Sequence, residues 1–360
     1  KVYPNATCSK PVGLLQRYGE DGRMDFGLIS GSYTNNVSGG VLRKNMGSIT
    51  DEIDPTTGVF TDTEGIIYTI DEFRIIDYHN DDNYDGGWPD AWYVEGPMSE
   101  VPSKFPDWGN PIGEMLYEAL NYFAGESPTT AFTYSGDDVS LDLPQPAWED
   151  PYNASNFCAQ PYILNISDIY PTFDSDELPG SRWGSMSSEY IGNAAERLDV
   201  EDIGDEIFAE EFGGNQERFI GCSGTSVGDF SCSPKIVESF GDIRGLCPEE
   251  PTKQGSYYSA SVAKYGFSQD LSFVDGNQTV RNYMVGLASP LPTIEIPVGG
   301  ETITVVPFGK SVKWTGGSGI DPDSGYQPTN TIVDYFIEDI SDASGTFRIN
   351  FEDVEQGADH

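Results

Sequence analysis

The sequence predicts an α/β unit joined to β-rich structure, and three observations carry that expectation. Between residues 108 and 290, helical patterns alternate with compact apolar runs, the signature of a central parallel sheet with crossover helices. Ahead of this, residues 1–107 are rich in Gly, Asp, Tyr and β-branched residues. Behind it, residues 291–360 alternate apolar and polar positions between Gly- and Pro-rich turns. With 360 residues, 37% of them hydrophobic and 12% aromatic, the chain can build two or three packed units and is not disordered as a whole.

In residues 1–107 the runs FGLISGSY, GIIYTIDEF and RIIDYH are short and broken by Gly, Asn and Asp, so the region reads as irregular β structure. A helix follows in NPIGEMLYEALNYFAG. Ile112, Met115, Leu116, Ala119, Leu120 and Phe123 recur at helical spacing, with Asn110 as N-cap, Pro111 in the first turn and Gly125 as the stop. PYILNISD reads as a buried parallel strand ending at Asp168. The acidic stretch 174–211 interrupts the pattern. KIVESFGDIRG (235–245) and GSYYSASVAKYGFSQD (255–270) then read as helices, and TVRNYMVGLA (279–288) as a second buried strand. PTIEIPV, ETITVVPF, NTIVDYFI and GTFRINF are the strands of the last region, 291–360.

Lys and Arg total 19 against 59 Asp and Glu, a net charge of −40. Such a surface repels nucleic acid and anionic lipid, and attracts divalent cations instead. The carboxylates read either as a solubility device or as calcium ligands, since Ca²⁺ takes hard oxygen donors. No apolar run is long enough to cross a bilayer. The chain opens at Lys1 without Met or signal peptide and closes in the acidic DVEQGADH, so both ends read as cut.

None of the five cysteines forms a CxxC pair, which argues against zinc or redox chemistry. Cys222 and Cys232 bracket the polar loop GCSGTSVGDFSC and are expected to form a disulfide in an oxidising compartment. Cys158 and Cys247 are the next pair, and Cys8 is left without a partner in the chain. Asn-x-Ser/Thr sequons at Asn5, Asn36, Asn153, Asn165 and Asn277 fit surface exposure, but such short motifs also arise by chance and Asn165 lies in the expected buried strand.

Asp81, Asn83, Asp85 and Gly86 in DDNYDGGWPD match the first half of an EF-hand loop, but Trp92 stands where the bidentate Glu belongs. Asp90 or Glu95 are its possible replacements. The loop reads as a calcium site or as an acidic turn. Asp321, Asp323 and Gly325 in GSGIDPDSGYQPTN give a shorter D-x-D-x-G pattern that recurs in extracellular calcium loops but reads first as a Gly- and Pro-rich interdomain turn. Glu352, Asp353, Glu355 and Asp359 form a third dense group. Trp88, Trp92, Tyr93 and Trp108 read first as the packing of a small insert and second as a recognition surface.

Little points to an enzyme. The histidines are His79, which reads as a surface loop residue, and the terminal His360, which leaves little for general-base work. GCSGTS lacks both the G-x-S-x-G spacing and a preceding strand, and no phosphate-cradling GxxxxGK[ST] loop occurs.

The phrases PVGLLQRYGED, FGLISGSYTNNVSGGVLRKNMG, WGNPIGEMLYEALNYFAG, QGSYYSASVAKYG and GTFRINFEDVEQGAD span most of the chain and resemble the middle of PilC/PilY-type pilus tip proteins. The resemblance implies an incomplete von Willebrand factor A (VWA)-like parallel-sheet unit with a β-rich insertion, followed by a β-rich linking domain and, further on, a calcium-binding propeller. It places the family's Thr loop at the GNP turn around Asn110 and its strand-end metal ligand at Asp168, with Asp174 and Asp176 close behind. No DxSxS motif follows an apolar strand here, so the first VWA strand is expected upstream of Lys1. The resemblance further implies an extracellular, non-enzymatic adhesion protein of the cell surface or pilus tip. Minor pilins and host or abiotic surfaces would be its partners. A structural component of a filament or surface layer, and a secreted glycan-acting enzyme, are the alternatives.

Overall fold

The computed structural model describes residues 2–5, 12–32, 37–73, 78–79, 83–84, 110–132, 142–167, 170–224, 233–246, 254–286, 294–305, 309–312, 326–338, 344–353 and 358–359. It combines short helices with small sheets, one of them parallel, as an α/β plus β chain should. The first region opens with helix α1 (Leu14–Gly19) and the antiparallel hairpin β1 (Phe26–Ser30) and β2 (Val41–Gly47). GIIYTIDEF is not a strand but helix α2 (Ile66–Glu72), whose first turn is held by the buried Glu52 carboxylate accepting from Ile67 N at 2.8 Å. A remote carboxylate thus supplies the cap that the local sequence lacks, Gly65 having no side chain to offer. The minimal pair β3 (Tyr78–His79) and β4 (Asn83–Tyr84) closes the region.

Helix α3 (Ile112–Phe123) is the core of the molecule. Its apolar residues behave as the spacing predicts, but the helix is buried nearly all round, Glu114, Glu118 and Asn121 included. The expected cap is displaced. Pro111 occupies the N-cap position without a side-chain bond, and Asn110 reaches elsewhere. Strand β5 (Tyr162–Ser167) follows. The acidic stretch that seemed to interrupt the pattern then delivers Leu178, Ile191, Leu198 and Val200 into the main core, at most 1% exposed, and folds into helix α4 (Val200–Glu211). Asp199 caps it by accepting from Asp202 N at 3.1 Å. These apolar residues are irregularly spaced along extended chain, so no periodicity announces them.

The expected helix at 235–245 is a correction. Strand β6 (Gln216–Ser223) pairs antiparallel with β7 (Ser233–Val237) on one side and β8 (Ile243–Leu246) on the other. Ser239–Asp242 turns between the outer two, and Gly245 sits at φ +93°, a left-handed value that a helix interior does not accept. Period-two burial, with Ile236 out and Val237 in, wins over the apparent helical spacing. Helix α5 (Tyr258–Ser268) then packs on α3 and α4 as the sequence suggests, and β9 (Arg281–Gly286) lies parallel to β5. The backbone of Val280 donates to Gly266 O at 2.7 Å, joining the end of α5 to the start of β9.

The strands at 162–167 and 281–286 therefore share one parallel sheet, but they are not buried on both faces. Their outward residues are exposed, because among the described residues the sheet has no third strand and no covering helix on that side. The C-terminal region is antiparallel throughout. It comprises the hairpin β10 (Ile294–Val298) and β11 (Glu301–Val305), then the sheet β12 (Gly309–Val312), β13 (Tyr326–Glu338), β14 (Thr346–Asp353) and β15 (Ala358–Asp359). No helix among the described residues is long and apolar enough to cross a membrane.

Candidate functional site

The densest polar arrangement lies where α3 begins. Asp174 is fully buried and lies between two helix N-termini. Its Oδ2 accepts from Gly113 N in the first turn of α3 at 3.3 Å. Its Oδ1 accepts from Ser256 N at 2.8 Å and Ser256 Oγ at 3.0 Å, just ahead of α5. Ser256 Oγ in turn accepts from Tyr258 N at 3.1 Å. One carboxylate thus caps α3 directly and holds Ser256, whose hydroxyl caps α5, so the positive ends of both dipoles lie near it. The approach is close: a Cβ at Gly113 would stand 3.1 Å from Asp174 Oδ2, and one at Gly255 only 2.0 Å from Pro171 O.

Asn110 ties the same corner to the sheet. It accepts from Ser167 Oγ, at the carboxyl end of β5, at 2.7 Å, and donates through Nδ2 to Tyr170 O at 2.9 Å. Its backbone exchanges bonds with Thr172, donating to Oγ1 at 2.7 Å and accepting from the amide at 2.9 Å. Beside it, Glu114 accepts from Gly39 N at 2.6 Å, while its other oxygen is buried without a hydrogen-bond partner among the described residues. Glu177 accepts from Ser38 Oγ, so the loop leading into β2 touches this corner twice. One turn along α3, Glu118 accepts from Thr129 N at 3.0 Å and Thr129 Oγ1 at 2.5 Å.

Burial dominates the electrostatics. It raises the Asp174 carboxyl to about 7, against the lowering pull of its bonds from Ser256 and Gly113. Burial also pushes Glu114 well above the usual carboxylate range, and repulsion from Glu177, Asp174 and Asp176 adds to the shift. Glu118 and Glu177 move up for the same first reason.

The structure brings together residues that the sequence did not single out and separates two that it did. Asp174 is buried, but Asp176, two residues on, is exposed. Asp174's oxygens face N–H and O–H donors, a setting that suits an anion and not a cation. No three His, Cys, Asp or Glu side chains among the described residues converge closely enough to hold a metal ion. Asp81, Asp85, Asp168, Asp321 and Asp323 lie outside the described residues, as do Trp88, Trp92, Tyr93 and Trp108, and of Asn83 only the backbone in β4 is described. Cys222 is buried in β6 and Cys158 exposed, while Cys232, Cys247 and Cys8 are also outside. The missed participants are Glu114, Glu177, Ser38 and Ser256. The one available signal was two carboxylates four residues apart on an otherwise apolar helix, a pattern that ordinarily marks a solvated face.

The geometry has a pH consequence. Asp174 has an ordinary value of 3.8 unfolded and about 7 folded, so the folded state holds the extra proton between those limits. Stability from this group is complete below about 4 and is lost as pH rises through about 7. Glu114 acts with the same sign. Denaturant unfolding across that range is expected to show a declining free energy, with a shallower slope in Asp174→Asn. The variant also loses about 1–3 kcal/mol, because its amide NH₂ would meet the Gly113 N–H donor. An unchanged slope would show that Asp174 is not the titrating group.

Comparison with known proteins follows the same regions. Residues 26–266 match the family model described as PilY1 homolog, second domain, and residues 296–360 match that of the PilY1 homolog beta-sandwich. A curated relative, the type IV pilus biogenesis factor PilY1 homolog of Xylella fastidiosa (strain Temecula1), is 40% identical over an alignment of 398 residues. That alignment covers 100% of this chain and 26% of the relative, so the chain spans about a quarter of that protein's length. No solved structure matches. With a second-domain match across α3, β5 and α5 and a β-sandwich match across β11 to β15, the chain belongs to the PilY1 homolog family.

Proposed function

We propose that this chain is a non-enzymatic segment of an extracellular type IV pilus biogenesis and tip protein. Within it, the junction around Asp174 would hold the starts of α3 and α5 in one arrangement. The observation that carries the reading is the family match along both parts of the chain, joined to the name of the Xylella relative. The parallel β5–β9 pair with α3 and α5 on one side supports a VWA-like character for that unit. Minor pilins are the expected partners, with attachment to host or abiotic surfaces as a function of the complete protein. The excess of carboxylates suits a secreted surface and leaves the nucleic-acid and anionic-membrane classes without the basic contacts they need.

The direct test is genetic and biochemical. Deletion of the encoding gene is expected to remove surface pili, and the tagged full-length protein is expected to co-purify with minor pilins from the intact strain. Normal piliation in the deletion strain, together with no recovered pilin, would refute the assignment.

Calcium is part of the same proposal. The Asp81–Asn83–Asp85 loop, with Asp321–Asp323 as a second candidate, would exchange carboxylate repulsion for coordination. Binding confined to the native state adds roughly 2.7 kcal/mol at about 100 times the dissociation constant. Thermal unfolding of the protein is therefore expected several degrees higher in millimolar calcium than in chelator, with the difference reduced in Asp85→Ala. Identical melting in both conditions would remove calcium from the account.

A further inference from the structure

One amine and two carboxylates meet beside strand β2. Lys44 lies on that strand, and Asp51 and Glu52 close the short 3₁₀ turn Ile49–Asp51 that follows it. The Lys44 Nζ stands 2.5 Å from Glu52 Oε1 and 2.7 Å from Asp51 Oδ1, with Ser48 O at 3.3 Å. Lys44 is 8% exposed and Glu52 1%, whereas the Asp51 side chain is 51% exposed. The two oxygens of Glu52 are held differently. Oε2 accepts from Ile67 N at 2.8 Å, while Oε1 faces the amine. Gly65 passes so near that a Cβ there would stand 2.4 Å from Oε1. Ile49, Ile53 and Ile66, which flank these residues in the chain, form the local apolar cluster.

An ion pair needs one carboxylate, and here a second one reaches the same nitrogen from the solvent side. Burying the pair costs solvation on both partners, a cost that a neutral amide of the same atoms does not carry. Orientation is already supplied by the fold, and effective molarities of well-aligned groups in one molecule reach about 10⁵–10⁸ M. We propose that Lys44 and Glu52 condense to an intramolecular isopeptide bond in the mature protein, with Asp51 as the proton acceptor.

The atoms balance without a co-reactant. Asp51 takes one proton from the ammonium, and the freed electron pair of Nζ attacks Glu52 Cδ. The oxyanion that develops on Oε2 is held by the Ile67 N–H, which already donates to it. Oε1 departs as water, carrying the proton returned by Asp51 and a second proton from the nitrogen. One C–N bond forms and one C–O bond breaks, with no oxidation or reduction. An ammonium and a carboxylate vanish together, so the net charge stays at −40. Asp51 is the poorer acyl donor, because water solvates its half-exposed carboxylate. Lys264 offers the contrast: it meets Glu206 and Glu210 where both are at least 65% exposed, and has the ordinary surface ion pair. The chemistry depends on the first hairpin and the start of α2, not on any role in piliation.

Mass spectrometry of the complete protein from its native host tests the bond. After unfolding and digestion with trypsin, Lys44 is expected to resist cleavage. The peptide from Lys44 to Arg74 should then weigh one water less than its sequence, with no backbone fragments between positions 44 and 52. Lys44→Arg keeps the charge but not the nucleophilic amine, and its peptides are expected at full mass. Asp51→Ala, a change at a half-exposed site, should move most of the protein to the uncondensed form. A full-mass peptide cleaved after Lys44 in the unsubstituted protein would overturn the proposal. So would a water loss that persists in Lys44→Arg, one that is undiminished in Asp51→Ala, or a bond that maps to Asp51.

Discussion

The structure turns on one buried carboxylate. Asp174 meets the amide of Gly113 ahead of it and that of Ser256 behind it, and so fixes the starts of α3 and α5 in one place. Those two helices supply Leu120, Tyr258, Val262 and Tyr265 to the main core, each at most 2% exposed. The carboxylate costs solvation, which burial makes visible in its raised pKa. In return it satisfies the helix-end amide of Gly113 and the buried amide of Ser256, each of which would cost about 1–3 kcal/mol if left unpaired. Asn110 extends the junction to the end of β5, and Glu114 and Glu177 extend it to the loop before β2. Helix, sheet and hairpin are thus registered on a few polar groups, and the apolar core fills the space they define.

The same economy recurs where charge is scarce. Only 19 basic residues face 59 acids, yet Arg43 and Lys44 are spent in the interior. Arg43 donates to Ser30 Oγ, Gly31 O and Pro144 O, joining both strands of the first hairpin to a segment a hundred residues away. Lys44 binds the buried Glu52 at 2.5 Å, and Glu52 also caps α2. Breaking such a pair leaves an uncompensated buried charge, so each partner specifies the position of the other. The large negative charge lies mostly on the surface, while the interior holds Arg43, the Lys44–Glu52 pair and the carboxyls of Asp174, Glu114 and Glu118, which burial shifts toward their protonated forms.

How far the sequence is legible follows from this division. Helices α3 and α5 show their apolar spacing, and the strands 162–167, 281–286 and those after 294 show theirs, because periodicity reports burial directly. The region 235–245 misleads because Ile236, Phe240 and Ile243 are compatible with either period until Gly245 is given its left-handed conformation. The core residues Leu178, Ile191 and Leu198 have no period at all. The junction is the least legible part, since Asp174 looks like one more acid in DSDELPGS. Its partners Gly113 and Ser256 lie 61 and 82 residues distant. Long-range capping leaves no local trace in the sequence.

Native-state hydrogen exchange tests the central role of this junction most directly. The amides of Gly113 and Ser256 are expected to exchange only with the global unfolding of the α3–α5 core, sharing the highest free energy of opening and falling together as denaturant is added. Exchange of either amide through a low-energy local opening, while Leu120 and Val262 stay protected, would contradict the account.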